Sequence, residues 1–522
     1  MVILEVLLGL LALCLVLALV ARRLNVPVAV MLVLGGIGVG FLPGLPEIEL
    51  EPELALALFL PPLLQLSGYR TDWPAFRSKL RPILLLAFGA VVFTAAAVAV
   101  VVHWLVPALP WGAALALGAI VAPPDAVAAG AVLRDLKPPK HIVTVLEGES
   151  LLNDASSLVL YRFAVAATMA GSFEWGEGLL SFFLSAIGGT LIGLVIGRIA
   201  MWIFARLDDT LHDITVSVLA GFAAYFAAEY VHVSGVLGVV GCGMVLGRHQ
   251  YGAFSARTRL ESAAVWNFIE FVLTSLVFML IGMQLPSIVE RLAAYDIIQL
   301  EVLAAAIAGT VIVSRFLWVM PMAWVPRLLS RRVRAKDPLP PARELTILSW
   351  AGMRGVVSMA AALALPLQFP ARDLIVFLAF CAIFATLVLQ GTTLGPLIRR
   401  LGVTADDGPG PHPDKLTARV HVAEAALSAV EDRLDDPDKA EAANELVGEF
   451  RDRVDRVAHA HDTGGEDLDQ ARSRLHLRLD AIAAAREALL SNREEYEDEA
   501  GRALTAELDL EEEQIRTKLG QR

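Results

Sequence analysis

The sequence predicts an all-α polytopic membrane protein. Thirteen transmembrane helices are expected, with spans 1–6 and 8–13 as inverted repeats and two helices broken in mid-membrane, followed by a helical cytoplasmic tail. Three observations predict this. The 522 residues are 56% hydrophobic and only 19% charged, with a mean hydropathy of +0.61, whereas a globular protein is about 45–50% apolar and about 25% charged. Lys and Arg recur after every second apolar run. The charge is also divided unevenly. Residues 1–400 hold 27 Lys/Arg and 25 Asp/Glu, so the net charge of −12 arises from a tail of −14. This division argues against one uniform domain, a soluble enzyme, a disordered chain or a basic nucleic-acid surface. It places a membrane domain at 1–400 and an acidic helical domain at 401–522. Cys14, Cys242 and Cys381 lie in apolar runs and are too few for a disulfide framework.

A membrane-spanning helix needs about 20 mostly apolar residues. Such runs fall at 3–21, 25–42, 52–69, 82–106, 112–133, 141–170, 179–205, 213–231, 235–248, 262–285, 299–325, 343–368 and 373–398. The first run lacks a positive leader, and Arg22 and Arg23 follow it, so it reads as a retained span. After odd-numbered runs come Arg70/Arg77/Lys79/Arg81, Arg134/Lys137/Lys140, Arg198/Arg206, Arg248/Arg257/Arg259, a set from Arg327 to Arg343, and Arg399/Arg400. After even-numbered runs only Arg291 and Arg372 appear. Because cytoplasmic loops are rich in Lys and Arg, this alternation sets the N-terminus outside and the tail in the cytoplasm. The ninth run is short and Gly-rich, and is the weakest of the set. The tail opens on a hinge-like linker, Asp406-Asp407-Gly408-Pro409-Gly410-Pro411. It continues in Ala-, Glu-, Arg- and Leu-rich segments that read as amphipathic helices.

Ionisable groups inside spans cost about 2.5–3.5 kcal/mol or more each, so they mark candidate function. In the fifth run Pro123 and Pro124 remove two backbone donors and break the helix beside Asp125. Broken backbone at that depth survives only inside protein or beside a water-filled cavity. The sixth run carries Glu149, Ser150, Asn153 and Asp154, two i,i+4 pairs on one helix face. Glu147 lies off that face. In the twelfth run Gly352 and Gly355 flank Arg354, for which Glu149 is the expected partner. Glu229, Glu270, Arg162 and Arg315 read as structural, snorkelling or paired within the bundle. The two breaks lie seven spans apart. An odd offset inverts the second copy, which is the pattern of a transporter site near the bilayer midplane.

Oxygen ligands without a His or Cys cluster suit a hard cation. One carboxylate, Asp154, can hold either a proton or a monovalent cation. If each excludes the other, the protein is an exchanger. An enzyme is not expected: after Gly148-Glu149-Ser150, Leu152 stands where a serine nucleophile elbow needs Gly. A proton-coupled carrier of another solute and a channel remain as rivals.

Several ordered motifs then resemble the cation:proton antiporter-1 family of sodium/proton exchangers. They are Gly148-Glu149-Ser150-Leu-Leu-Asn153-Asp154-Ala, Trp350-Ala-Gly352-Met-Arg354-Gly355, and Ala224-Tyr225 to Glu229 with Ser234-Gly235-Val236-Leu237. Leu60-Pro61-Pro62 and Gln390-Gly391 add to them. The resemblance covers residues 1–400. It implies electroneutral exchange of one Na⁺ (or Li⁺) for one H⁺, with K⁺/H⁺ exchange as the alternative. It also implies no cofactor, a homodimer in the cell (inner) membrane, and elevator-type motion. Asp154 would be the alternating cation and proton carrier, Asn153 its partner, and Asp125 the acid where the broken helices cross. Na⁺ would sit at these three, with Ser150 on the same face, and Arg354 would bridge to Glu149. Two positions depart from the family pattern: Pro124, often Thr, and Leu66, often an acid.

Overall fold

The computed structural model describes residues 2–24, 26–42, 52–133, 136, 138–170, 175–207, 209–292, 295–329, 339–403, 413–436, 439–462, 468–491 and 498–519. The chain divides into two compact units, residues 1–405 and 406–522. No strand occurs among the described residues. In the first unit the helices are α1 (Val2–Leu24), α2 (Val28–Gly40), α3 (Pro52–Arg70), α4 (Trp73–Ser78) and α5 (Leu80–Leu84). A π-helical stretch, Leu85–Ala90, leads into α6 (Val91–Leu105). Then come α7 (Trp111–Val121), α8 (Ala126–Leu133), α9 (Lys140–Ala170), α10 (Trp175–Phe204), α11 (Thr210–Tyr230), α12 (Gly235–Ala253) and α13 (Ala256–Met283). The unit ends with α14 (Leu285–Arg291), α15 (Ile297–Leu329), α16 (Ala342–Trp350), α17 (Val356–Leu363) and α18 (Arg372–Leu401). The second unit holds α19 (Pro413–Glu431), α20 (Ala440–Asp462), α21 (Leu468–Ser491) and α22 (Asp498–Leu519). The predicted linker 406–411 lies outside the described residues.

Helix covers each of the thirteen apolar runs, but not uniformly. Among the described residues six stretches are long and apolar enough to cross a membrane: Leu80–Leu105, Phe183–Phe204, Thr210–Tyr230, Arg257–Arg291, Ile297–Leu329 and Arg372–Leu401. The fifth and twelfth runs fall short because each is broken into two half-helices. The ninth, the shortest on sequence, gains length because α12 continues through polar residues to Ala253. A proline pair is not sufficient to break a helix here, since α3 runs unbroken through Pro61 and Pro62.

Small residues set the helix spacing. A side chain at Gly36 or Gly282 would run into backbone of the facing helix where α2 meets α13, and one at Gly243 or Gly247 would do so where α12 meets α3. Close backbone approach of this kind is how helices gain packing energy where lipid removes the hydrophobic drive. α7 is enclosed most completely: Ala113, Ala116, Leu117, Ile120 and Val121 are inaccessible. The π stretch frees backbone carbonyls from helical partners. Leu85 O accepts from Trp318 Nε1 at 3.0 Å, and Ala87 O accepts from Ser156 Oγ at 2.5 Å. These bonds tie the stretch to α15 and α9.

Candidate functional site

The two interruptions meet. α7 stops at Val121, the chain runs through Pro123 and Pro124, and α8 starts at Ala126. α16 stops at Trp350 and α17 starts at Val356. Between them, the Asp125 backbone N–H donates to Met353 O at 2.7 Å. One break therefore satisfies backbone that the other leaves open, which answers the cost of interrupting a helix away from water. Gly355 packs directly on Asp125, where any Cβ would strike the carboxylate.

α9 presents its polar face to this crossing. Asn153 Nδ2 donates to Pro124 O at 2.8 Å, and one turn on, Ser157 Oγ donates to Ala119 O at 3.0 Å. Asn153 is inaccessible, and its Oδ1 has no hydrogen-bond partner among the described residues. Asp154, 7% exposed, has Asp125 as its charged neighbour. Ser150, half-buried, stands one turn before Asp154, and Asp125 is half-buried. The structure thus gathers Asp125, Asn153 and Asp154 at the crossing. Buried oxygens with an unmet acceptor suit a hard cation or a proton.

The expected bridge between Arg354 and Glu149 does not form. Glu149 pairs with Arg315 of α15 instead. Arg315 Nη1 and Nη2 donate to Glu149 Oε1 and Oε2 at 2.6 and 2.8 Å, a bidentate fork with both side chains at most 2% exposed. Arg315 Nε also donates to Leu348 O at 3.2 Å, and the bare backbone of Gly352 makes room for the Arg315 stem. Arg354 has a different task. Its Nε donates to Val121 O at 2.8 Å and its Nη2 to Ala122 O at 3.1 Å, and its Nη1 bonds Gly352 O. Those first two carbonyls are the open C-terminal end of α7, where a cation also meets the negative end of the helix dipole. Arg354 is therefore a cap on the broken helix, still within electrostatic range of Glu149 and Arg315.

Three contributors lie outside the expected site set. Arg315, expected to snorkel or pair within the bundle, does pair, and its partner is Glu149. Thr386 accepts the Arg354 backbone N–H at 3.1 Å. Gln390, one turn further along α18, is inaccessible, and neither of its amide atoms is bonded among the described residues. Outside the site, Arg162 meets Glu229 and Arg70 meets Glu270, each at 2.8 Å and partly exposed.

The model of the sodium/hydrogen exchanger transmembrane family matches residues 9–400. A protein of Bacillus pumilus named as a sodium, potassium, lithium and rubidium/H⁺ antiporter is 36% identical over 72% of this chain and 58% of its own. A Mycobacterium bovis protein named as an uncharacterized Na⁺/H⁺ exchanger is 32% identical over 95% of this chain and 93% of its own. Among solved structures, the sodium proton antiporter MjNhaP1 of Methanocaldococcus jannaschii superposes with a TM-score of 0.60. It covers 76% of this chain and 98% of its own at 18% identity, a likeness of fold.

Proposed function

The chain belongs to the sodium/hydrogen exchanger family, and we propose that it exchanges one Na⁺ or Li⁺ for one H⁺, electroneutrally, at a shared carboxylate. Exchangers of this family need no cofactor; the cations and protons are substrates. The observation that carries the proposal is the charge of the crossing. Among the described residues three acids, Asp125, Asp154 and Glu149, stand with two buried bases, Arg315 and Arg354, so this set when ionised is one positive charge short. A single monovalent cation or a single proton cancels the deficit. Loaded either way, the carrier has the same charge, so the swap moves none.

In this reading Asp154 is the group that alternates between cation and proton. The unbonded Asn153 Oδ1 and the Asp125 carboxylate complete the ligand set, and Ser150 stands beside it on the same face. Arg354 and the Glu149–Arg315 pair hold the frame. The alternation of basic loops supports thirteen spans in inverted repeats, an outside N-terminus and a cytoplasmic tail at 401–522 following a transport domain at 1–400. We extend the proposal to a homodimer in the cell (inner) membrane working by elevator-type alternating access. K⁺/H⁺ exchange is the second reading, because the Bacillus pumilus relative is named for potassium as well as sodium. Pro124 and Leu66, where the chain departs from the family pattern, are the positions to test for that choice.

The experiment is proton flux in sealed proteoliposomes with Na⁺, Li⁺, K⁺ and choline supplied in turn, at clamped membrane potential. Saturable flux with Na⁺ and Li⁺, absent with choline and indifferent to voltage, is expected, with flux falling at low pH as protons outcompete the cation. Asp154→Asn abolishes it while the protein still elutes as a folded species. Substantial exchange by that variant refutes the assignment of Asp154, and strong voltage dependence refutes the stoichiometry.

A further inference from the structure

The two interrupted helices end differently. The last carbonyls of α7, Val121 O and Ala122 O, accept from Arg354. At the end of α16, Ile347 O accepts the Ala351 backbone N–H at 2.8 Å, and Leu348 O accepts from Arg315 Nε at 3.2 Å. The next three carbonyls, those of Ser349, Trp350 and Ala351, accept no hydrogen bond among the described residues. Ser349 and Ala351 are buried. Buried carbonyls are almost always paired, with protein or with ordered water. α7 thus ends under a cationic cap, whereas the end of α16 has none among the described residues.

α18 runs along this interruption. Thr386, Gln390 and Thr393, at i, i+4 and i+7, form one stripe of that helix. Thr386 Oγ1 accepts the Arg354 backbone N–H at 3.1 Å, and Thr393 Oγ1 accepts from Trp350 Nε1 at 2.9 Å. The stripe therefore holds both ends of the interruption, and Gly391 packs beside Met353 Sδ between them. Gln390 stands between the two threonines. It is inaccessible, and neither its amide nitrogen nor its amide oxygen has a partner among the described residues. The same stretch so collects three open carbonyls and a carboxamide with two N–H donors and one acceptor oxygen to place. The amide does not bond the carbonyls directly. A cation would serve the oxygens but would set a positive charge against the amide hydrogens. Water gives its hydrogens to the carbonyls and accepts from the amide, and a buried water takes about two to four such partners.

We propose that Gln390 is a positioning residue that holds ordered water against the open carbonyl end of α16, a neutral counterpart of the Arg354 cap on α7. The cap bears on the crossing through the next residues of the chain. Gly352 O takes Arg354 Nη1, and Met353 O takes the Asp125 backbone N–H at 2.7 Å. Fixing the end of α16 therefore fixes what Arg354 and Asp125 are bonded to. Neutrality matters as well. A base at this end would supply the positive charge that the transported cation or proton brings, whereas water caps the helix and leaves that deficit in place. This last step rests on the exchange reading; the water site does not.

The test uses the full chain in proteoliposomes. Short X-ray pulses split water into hydroxyl radicals, which oxidise a neighbouring methionine sulfur even where bulk water does not reach, and mass spectrometry reads the sulfoxide. Met353 and Met279 are equally buried, at 1% and 0% exposed, and only Met353 lies beside the Gln390 stretch. Met353 is expected to oxidise at least about tenfold faster than Met279. Gln390→Leu brings Met353 down to the Met279 rate and lowers proton flux about tenfold, since a displacement of about 1 Å at a reacting group can cost a hundredfold. Gln390→Asn, which keeps an amide, recovers most of the label and most of the flux. A merely structural role for Gln390 would lower flux without moving the Met353 label. Equal oxidation of Met353 and Met279 in the unaltered protein overturns the proposal. So does unchanged label or unchanged flux in Gln390→Leu, or a Met353 label lost when Na⁺ replaces choline, the mark of a cation site. Should Gln390→Leu not fold, the ratio of Met353 to Met279 in the unaltered protein decides. Asp154→Asn is expected to keep the Met353 label, so failure here and failure of the exchange reading are separate results.

Discussion

Removing Glu149 is expected to cost more than removing Arg315, its partner. The pair it makes with Arg315 is bidentate, at 2.6 and 2.8 Å, with side chains 1% and 2% exposed. Two unit charges about 4 Å apart attract by about 4 kcal/mol at an effective dielectric near 20. Breaking a buried pair by deleting one partner costs about 3–5 kcal/mol, because the other charge is left without compensation. The two deletions are not equivalent here. Arg315→Gln leaves Glu149 with Arg354 still in electrostatic range, whereas Glu149→Gln leaves two buried guanidinium groups acting on each other. The expected order of destabilisation is therefore Glu149→Gln, then Arg315→Gln. A shift of 3–5 kcal/mol changes the folded-to-unfolded ratio roughly 150- to 5,000-fold. The assay is unfolding by sodium dodecyl sulfate in mixed micelles, run as two double-mutant cycles, Glu149 with Arg315 and Glu149 with Arg354. Coupling of about 1.5 kcal/mol or more is expected in the first cycle, with a smaller value in the second. A larger coupling to Arg354 would show that Arg354, and not Arg315, is the working partner, and the reasoning would fail.

Two further outcomes are expected. Gly355→Ala puts a methyl group into the Asp125 carboxylate; proton flux should drop at least about tenfold, since a displacement of about 1 Å at a reacting group can cost a hundredfold. Unchanged flux would show that the crossing has room to spare. Arg162→Gln, which breaks a partly exposed pair with Glu229 at 2.8 Å, should cost about 0–1 kcal/mol in the same unfolding assay. A loss near that of Arg315→Gln would contradict the exposed character of the pair.

The helices were legible because apolar runs and basic loops carry period and sign over long stretches of sequence. The site was legible where an oddity was local. Two prolines beside an acid mark Asp125, and i,i+4 spacing puts Asn153 and Asp154 on the face that meets it. What escaped was pairing at long range. Arg315 and Arg354 look alike in sequence, each a base in an apolar run, and Glu149 was the obvious acid for whichever came nearer. The deciding factor is backbone rather than charge. Pro123 and Pro124 leave the Val121 and Ala122 carbonyls at the open end of α7, and Arg354, itself in a broken stretch, is drawn to those acceptors. The π stretch gave no such clue, as nothing in Leu85-Leu-Ala-Phe-Gly-Ala90 distinguishes it from ordinary helix.

The division of labour between the arginines bears on the exchange itself. Glu149 and Arg315 cancel each other at contact distance, so the pair adds little field at the crossing. That leaves Asp125 and Asp154 with Arg354, whose guanidinium is fixed by the carbonyls of Val121, Ala122 and Gly352 and cannot swing to either acid without uncapping α7. A base fixed in this way reduces the charge of the two acids without occupying the place between them. Had Arg354 been the direct partner of an acid at the crossing, it would compete with the transported ion for that oxygen. Held as a cap, in the proposed reading it leaves the Asp154 carboxylate and the Asn153 Oδ1 to a mobile cation or proton, with a deficit of one charge among the described residues. This is the arrangement that the proposed one-for-one exchange requires of Arg354.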